Sequence, residues 1–236
     1  MRVASLNLMH CARSSPEAVG ALLAERWVAI ACLQEVDLKM RRSGGVDQPA
    51  VIARAAGLAH YRFTSTLARG VGRLGTMRSR YGILTLSAYP ILEAFDIPLP
   101  TVSGQEPRAA QVVRLDLSEA LPETSRTLAV VNTHLAVGGL IAREQRDHLF
   151  ERIERYRLDH PGETVIVAGD FNGADLHDGW IEHDGRPTYP SENPSARIDH
   201  LAYRAGALGG AALAEWETFA YPNITDHCLL TARLGD

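Results

Sequence analysis

Short apolar runs alternate with polar clusters along this chain of 236 residues. The clearest run covers residues 165–168 and is followed by Gly169, Asp170, Phe171 and Asn172. A run of β-branched residues that leads into Gly-Asp-x-Asn predicts a buried strand that brings a carboxylate and an amide to the edge of a sheet, where ligands bind in open α/β folds. The pattern therefore favours a metal-dependent hydrolase.

Five further apolar runs lead into polar residues of the same kinds, and we interpret each as a strand that ends in a polar cluster. Those side chains are of the types suited to hard metal ions and phosphate chemistry. The polar residues that end these runs are Asn7, Gln34 with Glu35, Asn132 with Thr133 and His134, Asp199 with His200, and Asp226 with His227.

Each cluster taken singly has a simpler interpretation. Asn7 could be a turn former, because its side chain readily bonds nearby backbone. Glu35 could open a solvated loop, His134 could be a core histidine, and Asp199 could pair with Arg197 at the surface. These interpretations do not explain why all six polar clusters follow strongly apolar runs.

Periodicity predicts alternating helices and strands between these runs. A serine before Pro16 suits a helix N-cap, and Gly57 suits a helix end. The predicted helices are Pro16 to Trp27, Ala50 to Ala56 and Arg143 to Leu158, and the other predicted strands are Tyr61 to Leu67, Tyr81 to Ser87, and an antiparallel pair formed by Gln111 to Leu117 and Thr127 to Thr133.

Length and charge narrow the function classes. We expect one domain over residues 1–236, a size that is ordinary for layered α/β folds. The net charge of −4 and pI near 6.1 argue against a dedicated nucleic-acid binder, which usually carries a basic face. Lys39 is the only lysine, so the positive charge is almost all arginine, the better bidentate partner for phosphate oxygens.

The cysteines and the apolar runs bear on location. Cys11, Cys32 and Cys228 are odd in number and lack metal-type spacing, so a disulfide framework is not expected. No charged leader followed by an apolar stretch begins the sequence, and no apolar run is long enough to span a bilayer. We expect a cytoplasmic protein that is a monomer.

In their order along the chain, the polar clusters resemble the motifs of the endonuclease/exonuclease/phosphatase superfamily. This group includes pancreatic-type deoxyribonucleases, abasic-site endonucleases, neutral sphingomyelinases and inositol polyphosphate 5-phosphatases. The resemblance runs from the first predicted strand to the last residues. It implies a four-layer α/β sandwich, in which two facing mixed β-sheets are flanked by helices.

The resemblance also implies a site that hydrolyses a phosphate ester with Mg²⁺ or Mn²⁺. We expect Glu35 to be the principal metal ligand, with Asn7 and Asp226 close to the ion. Asp170 would align the attacking water, and Asn172 would donate to a phosphoryl oxygen.

Three further residues complete the implied catalytic set. His227 would transfer protons while Asp199 orients its ring. His134 would contact the phosphate or assist the leaving group, and its presence resembles the deoxyribonuclease and phosphatase branches rather than abasic-site endonucleases. Arg108 resembles an arginine of bacterial members that reaches a phosphate, although a mobile surface arginine is an equal alternative.

The loops between the strands are the expected source of specificity. The long segment 173–194 is one candidate wall. The glycine- and arginine-rich segment 69–80 is another, although a solvated loop without function is the favoured interpretation of it. Without a long basic insertion, a small or lipid-derived phosphate ester is favoured over nucleic acid. A metal-dependent nuclease and a catalytically silent module that binds a phosphorylated ligand stay as alternatives.

Overall fold

A computed structural model describes residues 1–69, 79–120, 126–182, 185–206 and 211–235 of the chain. The arginines of the basic segment at positions 73 and 78 lie outside these ranges.

Three helices and twelve strands lie within the described ranges. The helices are α1 (Pro16–Glu25), α2 (Gln48–Ala56) and α3 (Gly139–Asp159). The strands are β1 (Arg2–Asn7), β2 (Val28–Leu38), β3 (His60–Arg69), β4 (Ser79–Ser87), β5 (Ile91–Pro98), β6 (Ala109–Asp116), β7 (Thr127–His134), β8 (Thr164–Asp170), β9 (Ile181–Glu182), β10 (Asp199–Arg204), β11 (Ala212–Phe219) and β12 (Leu229–Gly235).

The strands form two six-stranded sheets. The first has the order β11-β12-β1-β2-β4-β3 and the second β5-β6-β7-β8-β10-β9. Each sheet contains one parallel pair, β1 with β2 and β7 with β8, and its other pairs are antiparallel. Both sheets are therefore mixed, as the sequence predicts.

The buried side chains divide into three clusters that define four layers. One cluster joins the two sheets and includes Ile30 from β2 and Ile166 from β8. A second packs α1 and α2 on the outer face of the first sheet, and a third packs α3 on the outer face of the second through Phe150. The predicted four-layer α/β sandwich is confirmed.

Helix α1 begins, and helix α2 ends, where the sequence places a cap. The side chain of Ser15 accepts a hydrogen bond from Ala18 N at the start of α1, and Gly57 ends α2 in the left-handed region with φ of 68°. Helix α1 ends two residues before the predicted Trp27, and α2 begins at Gln48, two residues earlier than predicted, because Asp47 caps it.

Three strands that the sequence pattern does not predict, β5, β9 and β11, lie at the edges of the sheets. Each has a single neighbouring strand, and most of its side chains are partly or fully exposed. An edge strand with an exposed face needs no apolar run, so periodicity gives little signal there.

The prediction that each of the six strands ends at its polar cluster is wrong for three clusters. Glu35 lies inside β2, which continues to Leu38, and the last two clusters stand at or before the start of a strand. Asp199 begins β10 rather than ending a strand, and His227 precedes β12. Strand β10 is antiparallel to β8, and β12 is antiparallel to β1. The starts of these strands therefore meet the ends of their neighbours at the same edge of the sandwich.

A buried polar pair fixes the two sheets against each other below that edge. Gln34 Nε2 on β2 donates to Asn132 Oδ1 on β7 at 2.8 Å, and Asn132 Nδ2 donates to the carbonyl oxygen of Leu84 at 3.0 Å. Both side chains are fully buried, and the bonds made by their amide nitrogens fix the register between the sheets, while Gln34 Oε1 has no partner within the described ranges.

None of the helices in the described ranges combines the length and the apolar character that crossing a bilayer requires.

Candidate active site

Three of the predicted site residues form a row across adjacent strands of the second sheet. His134 at the end of β7 is paired with Asp170 at the end of β8, and Asp199 at the start of β10 is paired with Asp170 from the other side. His134 Nε2 lies 3.5 Å from Asp170 Oδ2. Directly paired residues share a face of the sheet, so the row presents an imidazole and two carboxylates together.

Gly169 is required where β8 approaches β7 most closely. A Cβ atom at this position would lie 2.0 Å from the carbonyl oxygen of Thr133, and the residue has φ of 153°. Any side chain would force the two strands apart, which is the physical reason for glycine before Asp170.

The first sheet contributes Asn7 and Glu35. Asn7 Nδ2 donates to Asp170 Oδ2 at 2.9 Å and to Glu35 Oε1 at 3.3 Å, while Asn7 Oδ1 accepts a hydrogen bond from Met9 N at 2.9 Å. The amide of Asn7 is therefore fixed in orientation and joins the carboxylates of the two sheets.

Glu35 lies at a bulge in β2. The pairing with β4 shifts register between Leu33 and Val36, and Glu35 adopts a left-handed φ of 56°. Its side chain is 25% exposed, in contrast to the nearly buried Asp170 and Asp199. The bulge turns this carboxylate toward solvent at the rim of the site.

His227 and Asp199 form a buried pair. His227 Nδ1 lies 2.9 Å from Asp199 Oδ2 and donates to it, since a carboxylate only accepts. Burial lowers the pKa of His227, but the charges of Asp199, Asp170 and Asp226 outweigh it, so that the pKa is raised to about 9. The alternative interpretation, a surface pair of Asp199 with Arg197, is not formed: Asp199 bonds His227, and Arg197 pairs with Glu182.

Asp170 is the centre of the site. Its Oδ1 accepts from Asn172 N at 2.9 Å, and its Oδ2 lies 3.9 Å from His227 Nε2. Burial, together with the charge of Asp199, raises the pKa of Asp170 to about 7. A carboxylate with such a pKa can take up a proton near neutral pH.

Arg108 lies inside the site rather than on a mobile surface. Its side chain is 10% exposed, pairs with Glu106 at 2.9 Å, and places Nη1 3.0 Å from His134 Nδ1. Burial, then the charges of Arg108 and His227, lowers the pKa of His134 well below its usual value. The guanidinium only donates, so neutral His134 accepts at Nδ1 and is assigned its proton at Nε2, facing Asp170.

Asn172 and Asp226 lie next to this centre. Asn172 has φ of 48°, and its Nδ2 donates to the carbonyl oxygen of Leu135 at 2.9 Å, which leaves its second amide hydrogen for a ligand. Asp226 is half-buried, and its Oδ1 accepts from Thr225 Oγ1 at 3.3 Å.

The donor set fits a divalent cation, because oxygen atoms and negative charge are concentrated here. Asp170, Asp199 and His227 have potential ligand atoms within 4.8 Å of one another, whereas Glu35 lies outside that group. Asp199 and His227 already bond each other, which makes these ligand atoms less available to an ion. Glu35 is partly exposed, and Asn7 Nδ2 is the one hydrogen-bond donor to its side chain within the described ranges, so it is the more available carboxylate for a cation.

Sequence reasoning missed Thr188 and His10 at the site and included Tyr189 only within the candidate wall 173–194. Thr188 Oγ1 accepts from Asp199 N at 3.2 Å, and the ring of Tyr189 lies 5.0 Å from that of His227. Both belong to the segment 173–194, whose length was the available signal. His10, 3.5 Å from Glu35, has no sequence signal, because it is placed by an unusual turn.

Solved structures share this architecture at low sequence identity. An endonuclease/exonuclease/phosphatase from Beutenbergia cavernae DSM 12333 is 19% identical, with a TM-score of 0.71 over 99% of this chain and 71% of that one. A mannosyl-6-phosphatase from Bacteroides thetaiotaomicron VPI-5482 is 14% identical, with a TM-score of 0.69 over the whole of both chains. TDP2 from D. rerio, in complex with a single-strand DNA product, is 16% identical, with a TM-score of 0.70 over 100% of this chain and 99% of that one.

No curated protein matches the chain. The sequence profile of the Endonuclease/Exonuclease/phosphatase family matches residues 4–227. That range includes every polar cluster described above, from Asn7 to His227. The chain therefore belongs to the Endonuclease/Exonuclease/phosphatase family.

Proposed function

We propose that this protein hydrolyses a phosphate ester by attack of an activated water, with the help of a divalent cation. The observation that carries the proposal is the convergence of groups on Asp170. Asn7 comes from one sheet, while His134 and Asp199 are paired with Asp170 in the other. Family membership supports hydrolysis, and the site supplies groups for each part of it.

The two sides of the site carry opposite proton-transfer tasks. Asp170, with its pKa raised to about 7, accepts a proton from the attacking water. His227, with its pKa raised to about 9, is protonated at neutral pH and donates from Nε2 to a phosphoryl or departing oxygen. Asp199 is a positioning residue, since it holds the ring through Nδ1.

Other side chains bind the phosphoryl group. His134 donates from Nε2, and Arg108, held against it, supplies positive charge at the same wall. The second amide hydrogen of Asn172, which Leu135 does not use, supplies a third donor. Donors fixed before the substrate arrives favour the charge that develops on the phosphoryl oxygens.

Glu35 would hold the cation, with Asn7 orienting it and Asp226 adding negative charge nearby. When bound, Mg²⁺ or Mn²⁺ supplies Lewis-acid stabilisation of the phosphoryl charge. Such ions need only one or two carboxylates, which agrees with a sparse set of ligands.

We favour a small or lipid-derived phosphate ester as the substrate. The net charge of −4 disfavours a long nucleic-acid contact, and a mannosyl-6-phosphatase is among the structures of similar fold. TDP2 with its DNA product has the same fold, so a nuclease is the second candidate. A cytoplasmic location, a monomeric state and a single domain over residues 1–236 stay predictions.

An activity panel tests the proposal. Purified protein is mixed with bis-p-nitrophenyl phosphate, p-nitrophenyl phosphate, sphingomyelin vesicles or plasmid DNA, each with Mn²⁺ or Mg²⁺ and with chelator. We expect metal-dependent cleavage of a small or lipid ester. Nicking of plasmid at low enzyme concentration would favour the nuclease, and inactivity on every ester would favour a silent phospho-ligand binding module.

A further inference from the structure

The turn after β1 places a histidine beside Glu35. His10 Nδ1 lies 3.5 Å from Glu35 Oε2, and among the described residues this solvent-shielded nitrogen has no hydrogen-bond partner. Buried polar atoms are nearly always bonded. An unbonded ring nitrogen next to a carboxylate oxygen therefore indicates a third atom that both can bind.

The turn that carries His10 is held in an unusual conformation. Met9, His10 and Cys11 have φ of 46°, 47° and 59°, all in the left-handed region. Asn7 Oδ1 accepts from Met9 N, and Gln48 Nε2 donates to the carbonyl oxygen of His10, both at 2.9 Å. Backbone strain of this kind persists where the surroundings impose it, often at ligand sites.

The spacing of the two atoms suits a shared metal ion. Two adjacent ligand atoms, each about 2.1 Å from one ion, lie roughly 3.0–3.5 Å apart in octahedral or tetrahedral geometry. The separation of 3.5 Å between His10 Nδ1 and Glu35 Oε2 falls at the upper end of that range. Their geometry forms no hydrogen bond, so a cation is the better bridge.

We infer that His10 Nδ1 is a ligand of the divalent ion held by Glu35 and that it makes the site prefer Mn²⁺ or Co²⁺ to Mg²⁺. Imidazole suits transition metals, whereas Mg²⁺ takes oxygen ligands almost exclusively. The inference rests on the proposed role of Glu35 as the metal ligand.

Calorimetric titration of the full chain with Mn²⁺, Co²⁺ and Mg²⁺ tests it. His10→Phe keeps a ring and removes the nitrogen, His10→Asn keeps a residue that tolerates left-handed φ, and His148→Phe on α3 is the matched control. We expect both His10 variants to lose about 10–100-fold in Mn²⁺ and Co²⁺ affinity and less than about threefold in Mg²⁺ affinity.

Pulsed electron paramagnetic resonance of bound Mn²⁺ gives a direct readout of the ligand. The nitrogen hyperfine coupling should be present in the unmodified protein and in His148→Phe, and lost or reduced in His10→Phe and His10→Asn. An unchanged coupling in a folded His10 variant would overturn the inference.

The Glu35→Gln variant distinguishes a failure of the inferred role of His10 from a failure of the proposed role of Glu35. If it weakens Mn²⁺ binding while the His10 variants bind all three metals as the unmodified protein does, His10 is not a ligand and the proposed role of Glu35 stands. If Glu35→Gln leaves Mn²⁺ affinity unchanged, both the metal site and the role of His10 are wrong. An equal loss for all three metals in the His10 variants also overturns the preference.

Discussion

At the scale of single residues, the site separates carboxylates by environment. Asp170 and Asp199 are almost fully buried, whereas Glu35 is a quarter exposed at a bulge. A buried carboxylate tends to hold or share protons, and an accessible one can exchange water for a cation. In the proposed function, the same functional group serves proton transfer at Asp170 in the second sheet and metal binding at Glu35 in the first.

Glu35→Gln should abolish metal-dependent hydrolysis and leave the fold intact. The amide keeps the shape of the side chain but removes the charge that attracts the ion. Calorimetry should show at least tenfold weaker Mn²⁺ binding, as changes at metal ligands typically cause. Glu25→Gln, at the exposed end of α1, is the matched control. Unchanged Mn²⁺ affinity would mean that another residue is the principal ligand.

His227→Ala and Asp199→Asn should both lower kcat, with the smaller effect for Asp199→Asn. The first removes the proton donor, worth roughly 10²–10⁴-fold, while the second only loosens its orientation. The double variant should be little slower than His227→Ala, because the two residues act as a unit. Steady-state kinetics of the unmodified protein, the two single variants and the double variant measure these losses. A loss in the double variant equal to the product of the two single losses would contradict the prediction.

Asp170 and His227 should make the metal-free protein less stable as pH rises. Folding raises the pKa of Asp170 from 3.8 to about 7 and that of His227 from 6.5 to about 9. The folded protein therefore binds these protons more tightly than the unfolded chain does. The stability that each group contributes is fully present below its ordinary pKa and is lost as pH rises through its folded-state pKa.

Asp170→Asn removes the first of these two contributions. The loss of unfolding free energy between pH 4 and pH 7.5 should shrink by roughly 1–4 kcal/mol, since one pKa unit is worth about 1.4 kcal/mol. Urea unfolding in chelator, compared with the unmodified protein at both pH values, measures it. An identical pH dependence in the two proteins would show that Asp170 titrates normally.

At the scale of elements, the close approach of β7 and β8 sets the geometry of the site. Gly169→Ala should destabilise the protein by about 2–4 kcal/mol and lower activity, because the strands must separate around the new methyl group. Gly173→Ala, with φ of 84° and nothing within 4 Å of the added carbon, should cost only about 1 kcal/mol. Thermal unfolding of both variants checks the difference, and equal losses would refute the steric explanation.

The pattern of apolar and polar positions predicts the buried elements well. Strands such as β8 and caps such as Ser15 are encoded in neighbouring residues, so they can be found without the fold. The edge strands β5, β9 and β11 are not predicted, because an edge strand needs no apolar run. Local pattern also could not tell that Asp199 begins its strand instead of ending one, because that depends on the antiparallel pairing of β10 with β8.

The site residues also differ in whether neighbouring sequence reveals them. Asn7, Asp170, Asp199, His134 and His227 are brought together as their motifs suggest, through pairing between strands. The place of His10 depends on three successive left-handed residues and on Gln48, which lies 38 residues further along the chain. No sequence motif reports such a contact.

At the scale of the whole molecule, the metal site should couple the stabilities of the two sheets. Asn7 bonds both Glu35 of the first sheet and Asp170 of the second, so a cation held by Glu35 should stabilise the closed sandwich through that shared amide. Mn²⁺ at 100 times its Kd should add about 2.7 kcal/mol to the unfolding free energy.

The effect should be larger at pH 8 than at pH 5, where protons compete for the carboxylates. Differential scanning calorimetry with and without Mn²⁺ at both pH values checks this. An equal shift in Tm for Glu35→Gln and for the unmodified protein would indicate binding elsewhere.

The antiparallel pairing of β1 with β12 also has a consequence for synthesis on the ribosome. Thr225 Oγ1 bonds the carbonyl oxygen of Asn7 across 218 positions of the chain. At about 5–20 residues per second, β1 waits roughly 10–40 s for β12 to be translated. Through that interval one edge of β1 lacks its partner, a hazard for aggregation that chaperones can shield. We therefore expect a nascent chain to carry no hydrolytic activity until translation has passed β12.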